Sequence, residues 1–166
     1  MNTSEYLFLS YSDHLNLPIL GNIIYNLISG PIENKIQILL PCNQGISFNT
    51  FISNDDTIIL ESGTYILRVS ITLYQDYGID GVRIIIKKNT ESNDTLTSLK
   101  IVPVDPGIVL TQNNLNHGVL EYILKVNDFN TEIIQVLLEP FTYNKNIDIS
   151  DLNLYINHYT IFLQRI

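Results

Sequence analysis

Alanine and tryptophan are absent from this chain of 166 residues, and cysteine and methionine occur once each. The missing alanine matters most, because it is the strongest helix former and a helical protein without it would be unusual. A lone Cys42 allows no disulfide within the chain and excludes a cysteine-rich zinc or iron–sulfur centre. Cations are scarce: 9 Lys and Arg stand against 17 Asp and Glu, a formal net charge of −8. Nucleic-acid binding needs clustered Lys and Arg that displace counterions from phosphates, and anionic lipid is held by similar clusters, so neither is expected as a partner. Lys87-Lys88 is too short a run to change this and reads as a solvated strand edge. No apolar stretch approaches the ~20 residues of a membrane-spanning helix. Met1 to Glu5 lacks the basic-then-apolar pattern of a secretory leader. The expectation is no signal peptide, no transmembrane segment and no membrane insertion, with any exit from a cell by lysis, virion assembly or deposition on a spore.

What the chain does have is Ile, Asn and Tyr in abundance. β-branched and aromatic residues favour strands. Together with Lys these residues have AT-rich codons, which fits the genome of a low-GC bacterium, a large DNA virus or a phage. Period-2 alternation runs from end to end. Its clearest stretch sets Tyr65, Leu67, Val69, Ile71 and Leu73 against Thr64, Ile66, Arg68, Ser70 and Thr72. Val82, Ile84 and Ile86 alternate in the next strand, and Leu120, Tyr122, Leu124 and Val126 in a later one. Asn127-Asp128 turns the chain into a partner strand over Glu132 to Glu139, and a polar connection from Tyr143 to Asp151 precedes the last run. About ten strands at roughly 8–12-residue spacing, with no convincing helix, read as an all-β sandwich or barrel. With no repeat, linker or low-complexity segment, residues 1–166 read as one domain.

The first and last strands depart from the inside/outside rule. Leu152, Leu154, Ile156 and Phe162 read as one face of the last strand, and Tyr155, Tyr159, Ile161 and Leu163 as the other. Tyr6 and Phe8 oppose Leu7, Leu9 and Tyr11 in the first. A sheet with one solvated side does not carry apolar residues on both. One face is expected to fill the sandwich and the other to meet a second subunit, since charge-poor aromatic surfaces are typical of interface cores. Tyr6, Phe8, Tyr11, Tyr155, Tyr159, Ile161 and Leu163 are the candidate interface residues.

Phe48-Asn49, a polar turn, and then Thr57-Ile58-Ile59-Leu60-Glu61-Ser62-Gly63-Thr64-Tyr65-Ile66-Leu67 resemble the tumour-necrosis-factor-like jelly roll. More narrowly, the segment is similar to complement-type globular heads and to the heads of bacterial collagen-like exosporium glycoproteins. Asp151-Leu152-Asn153-Leu154 through Ile161-Phe162-Leu163 is similar to the family's closing strand, so the resemblance spans Tyr6 to Ile166. It implies a ten-stranded, two-sheet jelly-roll sandwich forming a homotrimer, with the N- and C-terminal strands side by side in the inner sheet. It carries over no catalytic residues. The chain lacks the family's Gly-X-Y stalk, so the heads alone would hold a trimer. The implied function is a non-enzymatic trimeric structural or receptor-binding module on a virion, phage or spore surface. Its partners would be itself and a host receptor or glycan.

Against that reading stand a lectin-like carbohydrate-binding module, with Tyr74, Tyr77 and Tyr143 near strand ends as ligand-binding residues, and a cupin-type enzyme. The cupin needs a clustered His/Glu metal set, and His14, His117 and His158 are too scattered to supply one. No Gly-x-Ser-x-Gly or phosphate loop is present. No cofactor is expected. Asp55, Asp56, Asp76 and Asp80 are candidate calcium ligands, as in some members of the family, although Asp is equally an ordinary turn residue. His158, read onto the Leu154/Ile156 face, would weaken assembly on protonation if it lies near a three-fold axis.

Overall fold

The computed structural model describes residues 5–21, 24–28, 35–40, 51–53, 57–75, 78–88, 95–102 and 116–166, with backbone alone at 5–6, 12–20, 35–40 and 51–53. Among the described residues there are eleven strands: β1 (Glu5–Leu20), β2 (Tyr25–Asn26), β3 (Lys35–Leu40), β4 (Phe51–Ser53), β5 (Thr57–Leu60), β6 (Gly63–Gln75), β7 (Gly81–Lys88), β8 (Thr95–Ile101), β9 (Asn116–Val126), β10 (Glu132–Phe141) and β11 (Asn153–Arg165). They form two antiparallel sheets. One has five strands in the order β3-β1-β11-β6-β9; the other has six, with β4-β5-β10-β7-β8 in line and the short β2 paired to β10. The two facing sheets of the expected sandwich are present, but the strand count differs from the ten expected: the described residues form eleven, counting the two-residue β2.

Alternation decides which side of each strand enters the core. In β6, Tyr65, Leu67, Val69, Ile71 and Leu73 are buried. Leu120, Leu124 and Val126 of β9 and Ile134, Val136 and Leu138 of β10 join them in one apolar cluster between the sheets. Each such side chain contributes about 1.5–3 kcal/mol on burial, so a one-residue slip in register would be costly.

The terminal strands lie side by side. β1 pairs with β11 from Glu5↔Arg165 to Leu20↔Asn153. β1 is longer than the Tyr6–Tyr11 run suggests, and its extension passes through Pro18. Proline is tolerated there because, among the described residues, β3 pairs with Tyr6 to Tyr11 and leaves Pro18 with β11 as its ladder neighbour. β7 is not an edge: it lies between β10 and β8, and Lys88 pairs with Glu132 at 3.0 Å.

β11 is irregular, and this corrects the reading of its faces. Its register against β6 shifts between Ile156 and His158, a bulge that inserts one extra residue. Parity flips there. Leu154 and Ile156 before the bulge, and Tyr159, Ile161 and Leu163 after it, all point into the core. Tyr155, His158 and Phe162 stand on the outer face, His158 opposite Thr72 and Phe162 opposite Arg68.

The β9–β10 turn closes with Asn130 N donating to Asn127 O at 3.1 Å. Phe129 within it has φ of 66°, among the described residues the one non-glycine with positive φ, and it is fully exposed. A position like this favours Gly or Asn. Phe129→Gly is expected to raise stability by about 0.5–1 kcal/mol, read as a higher urea midpoint with an unchanged slope; a lower midpoint would show that the ring is held by contacts that matter.

Candidate functional site

The outer face of the five-stranded sheet is the first candidate. Its rows follow from the strand register: Phe8, Phe162, Arg68 and Glu121 in one, Ile66 and Ile123 in the next, Ser70 and Val119 on the other side. Val119 is 48% exposed and Ile123 62%. Farther along, Tyr74 and Tyr155 stack with ring centroids 4.6 Å apart and planes 9° off parallel. The charged pair in this face is self-satisfied: Arg68 Nε donates to Glu121 Oε2 at 2.8 Å. His117 also lies on this side, its Nδ1 3.0 Å from the Thr72 hydroxyl.

The candidate interface residues are divided by the sandwich. Phe8 and Tyr155 lie on this outer face, half-buried. Tyr11, Tyr159, Ile161 and Leu163 are core residues, each 1% exposed or less, so they have no surface to offer a partner. The bulge is the reason for the last three, and plain alternation with buried Leu7 and Leu9 for Tyr11. The side chain of Tyr6 lies outside the described residues.

Inside, these core tyrosines form a polar knot. Tyr11 stacks on Tyr159 at 5.2 Å. The Tyr159 hydroxyl donates to Leu27 O at 2.7 Å, which satisfies a buried polar group. Tyr25 lies beside them with its hydroxyl buried and without a hydrogen bond of good geometry. Burial pushes the Tyr25 phenol up to about 12, partly offset by the Tyr159 hydroxyl. Burial, with the neighbouring Tyr25 and Tyr11, raises that of Tyr159 further.

The second candidate surrounds Tyr143. This residue is 66% exposed and follows Phe141, the last residue of β10. The two rings meet edge to face at 5.3 Å. Arg83 Cζ lies 5.7 Å from the centre of the Phe141 ring, and Lys100 Nζ lies 5.4 Å from Phe141 and 5.9 Å from Tyr143. Cross-strand register, which sequence spacing does not display, makes this cluster: Arg83 sits opposite both Glu139 and Lys100.

The three candidate ligand-binding tyrosines do not converge. Tyr74 stacks on the five-stranded sheet, Tyr143 caps the six-stranded one, and Tyr77 lies outside the described residues. Of the calcium candidates, Asp55, Asp56 and Asp76 also lie outside them. Asp80 Oδ2 is engaged internally, accepting from the Thr142 hydroxyl at 2.9 Å and from Tyr143 N at 2.6 Å. Among the described residues no group of three or more His, Cys, Asp or Glu is placed to hold a metal ion, and no helix is long and apolar enough to cross a membrane.

Two antiparallel sheets of this order, with the chain ends adjacent in one of them, define the tumour-necrosis-factor-like jelly-roll fold. Solved structures with the same fold bear this out. Eiger TNF from S. frugiperda matches with a TM-score of 0.57 at 8% identity, over 99% of this chain and 94% of that one. Murine APRIL, crystallised at pH 5.0, matches with a TM-score of 0.53 at 9% identity, over 97% and 99% of the two chains. No protein-family model and no curated protein sequence matches the chain.

Proposed function

We propose that this protein is a non-enzymatic, homotrimeric surface module that serves assembly or receptor contact on a virion, phage or spore. The observation that carries the reading is the outer face of the five-stranded sheet. The opposite face of that sheet already fills the core, yet Phe8, Phe162, Ile66, Val119, Ile123 and the stacked Tyr74–Tyr155 pair remain on the outside. An apolar, aromatic surface of this kind is costly in water and suits contact with further copies of the chain. The likeness to tumour necrosis factor structures supports it at the level of fold, and the abundance of residues with AT-rich codons supports the setting. Sedimentation of the purified protein at low micromolar concentration tests it. A particle of three times the monomer mass is expected, and a stable monomer would discard the reading.

A further inference from the structure

We infer that Phe141, Tyr143, Lys100 and Arg83 form a binding site for an acidic saccharide, in which the exposed Tyr143 ring stacks on a sugar face and Lys100 meets its carboxylate. This goes beyond self-assembly and does not rest on it, because the cluster lies on the other sheet.

The first argument is that Tyr143 is held rather than loose. The Asp80 carboxylate takes two hydrogen bonds from Thr142 and Tyr143, as described above. Asp80 N donates to Phe141 O at 2.9 Å, and Asn144 N donates to the Thr142 hydroxyl at 3.3 Å. A platform fixed in advance loses little entropy when a ligand settles on it. Gly81 makes the close approach possible: a Cβ there would lie 2.7 Å from both the Phe141 ring and Ile101 O.

The second argument is charge. The chain is acidic overall, yet two of its 9 cationic side chains gather on these rings. Among the described residues no carboxylate lies within ion-pair reach of Lys100. Arg83 reaches Glu139 only at 4.0 Å. Lys100 is therefore available to an anionic group.

The third argument separates a sugar from an acidic peptide. Arg83 and Glu139 together offer donors and an acceptor side by side, which suits ring hydroxyls. The Glu139 carboxylate would repel a run of peptide carboxylates. The exposed aromatic supplies the apolar contact for the C–H face of a pyranose.

The test uses the whole chain on an array of sialylated, uronic-acid-bearing and neutral oligosaccharides, followed by titration with 3′-sialyllactose and lactose. Acidic glycans are expected to bind in preference to neutral ones. Tyr143→Ala should weaken 3′-sialyllactose binding about ten-fold by removing the stacked face. Lys100→Gln should erase the preference for the acidic sugar while retaining weak binding of lactose. Both side chains are exposed, so both variants should keep the wild-type circular dichroism. An array that captures nothing, equal affinity for lactose and sialyllactose, undiminished binding by Tyr143→Ala, or equal competition by polyglutamate overturns the inference.

Discussion

Phe162→Asp is expected to yield a folded monomer, and Ile161→Asp no folded protein at all. The two residues are adjacent, but Phe162 stands on the outer face of β11 and Ile161 is fully buried in the core. In a lone subunit a carboxylate introduced in place of Phe162 would keep its hydration. In a trimer it would be a buried charge at a contact, its cross-strand neighbour Arg68 already engaged by Glu121, and a buried charge without a partner costs about 3–5 kcal/mol when its surroundings are dry. Dissociation should therefore be favoured at least about 100-fold. The same carboxylate in place of Ile161 would sit between the sheets, where one such penalty consumes much of a domain's stability. Sedimentation and circular dichroism on both variants check the pair. A Phe162→Asp protein that still sediments with the wild type would show that this face makes no subunit contact.

Alkaline pH should destabilise the wild type more steeply than Tyr159→Phe, and the two stability curves should cross. The phenols of Tyr159 and Tyr25 have folded-state pKa values raised above the ordinary 10. Their contribution is fully present below pH 10 and is lost as pH rises through the folded values, because the unfolded chain then releases protons that the folded one retains. For Tyr159, 1% exposed, the loss is on the order of 1 kcal/mol for each pH unit above 10. Tyr159→Phe forgoes the hydrogen bond to Leu27 O, worth about 1 kcal/mol at neutral pH, but carries no ionisable group to penalise. The variant should thus be the less stable protein at pH 7 and the more stable one at strongly alkaline pH, with the crossing above pH 10. Urea midpoints at stepped pH measure it. Parallel curves would mean that Tyr159 ionises as readily folded as unfolded.

Much of this architecture is legible in the residue pattern. The Tyr65–Leu73 alternation, the turn at Asn127-Asp128 and the polar stretch from Tyr143 to Asp151 all lie where the residue pattern puts them, because burial imposes a period of two on a sheet with one face in the core. The faces of β11 were less legible. Strict alternation groups Tyr155 with Tyr159, whereas the bulge separates them. A signal was present: Leu154 and Ile156 occupy even positions, Tyr159, Ile161 and Leu163 odd ones, and the polar pair Asn157-His158 stands at the change. One inserted residue reconciles all five as core. The Tyr143 site was half legible. Its aromatic could be picked from the chain, but Lys100 and Arg83 join it only through the register of β7 with β8 and β10, a long-range fact that local pattern does not encode.

The pairing of β1 with β11 gives the molecule a polarity. Glu5, Arg165 and the start of β6 share one pole, whereas Gly81, Phe141 and Tyr143 crowd the other. A tether or reporter joined after Ile166, whose N–H is bonded to Thr64 O, therefore starts at the pole opposite the tyrosine tip.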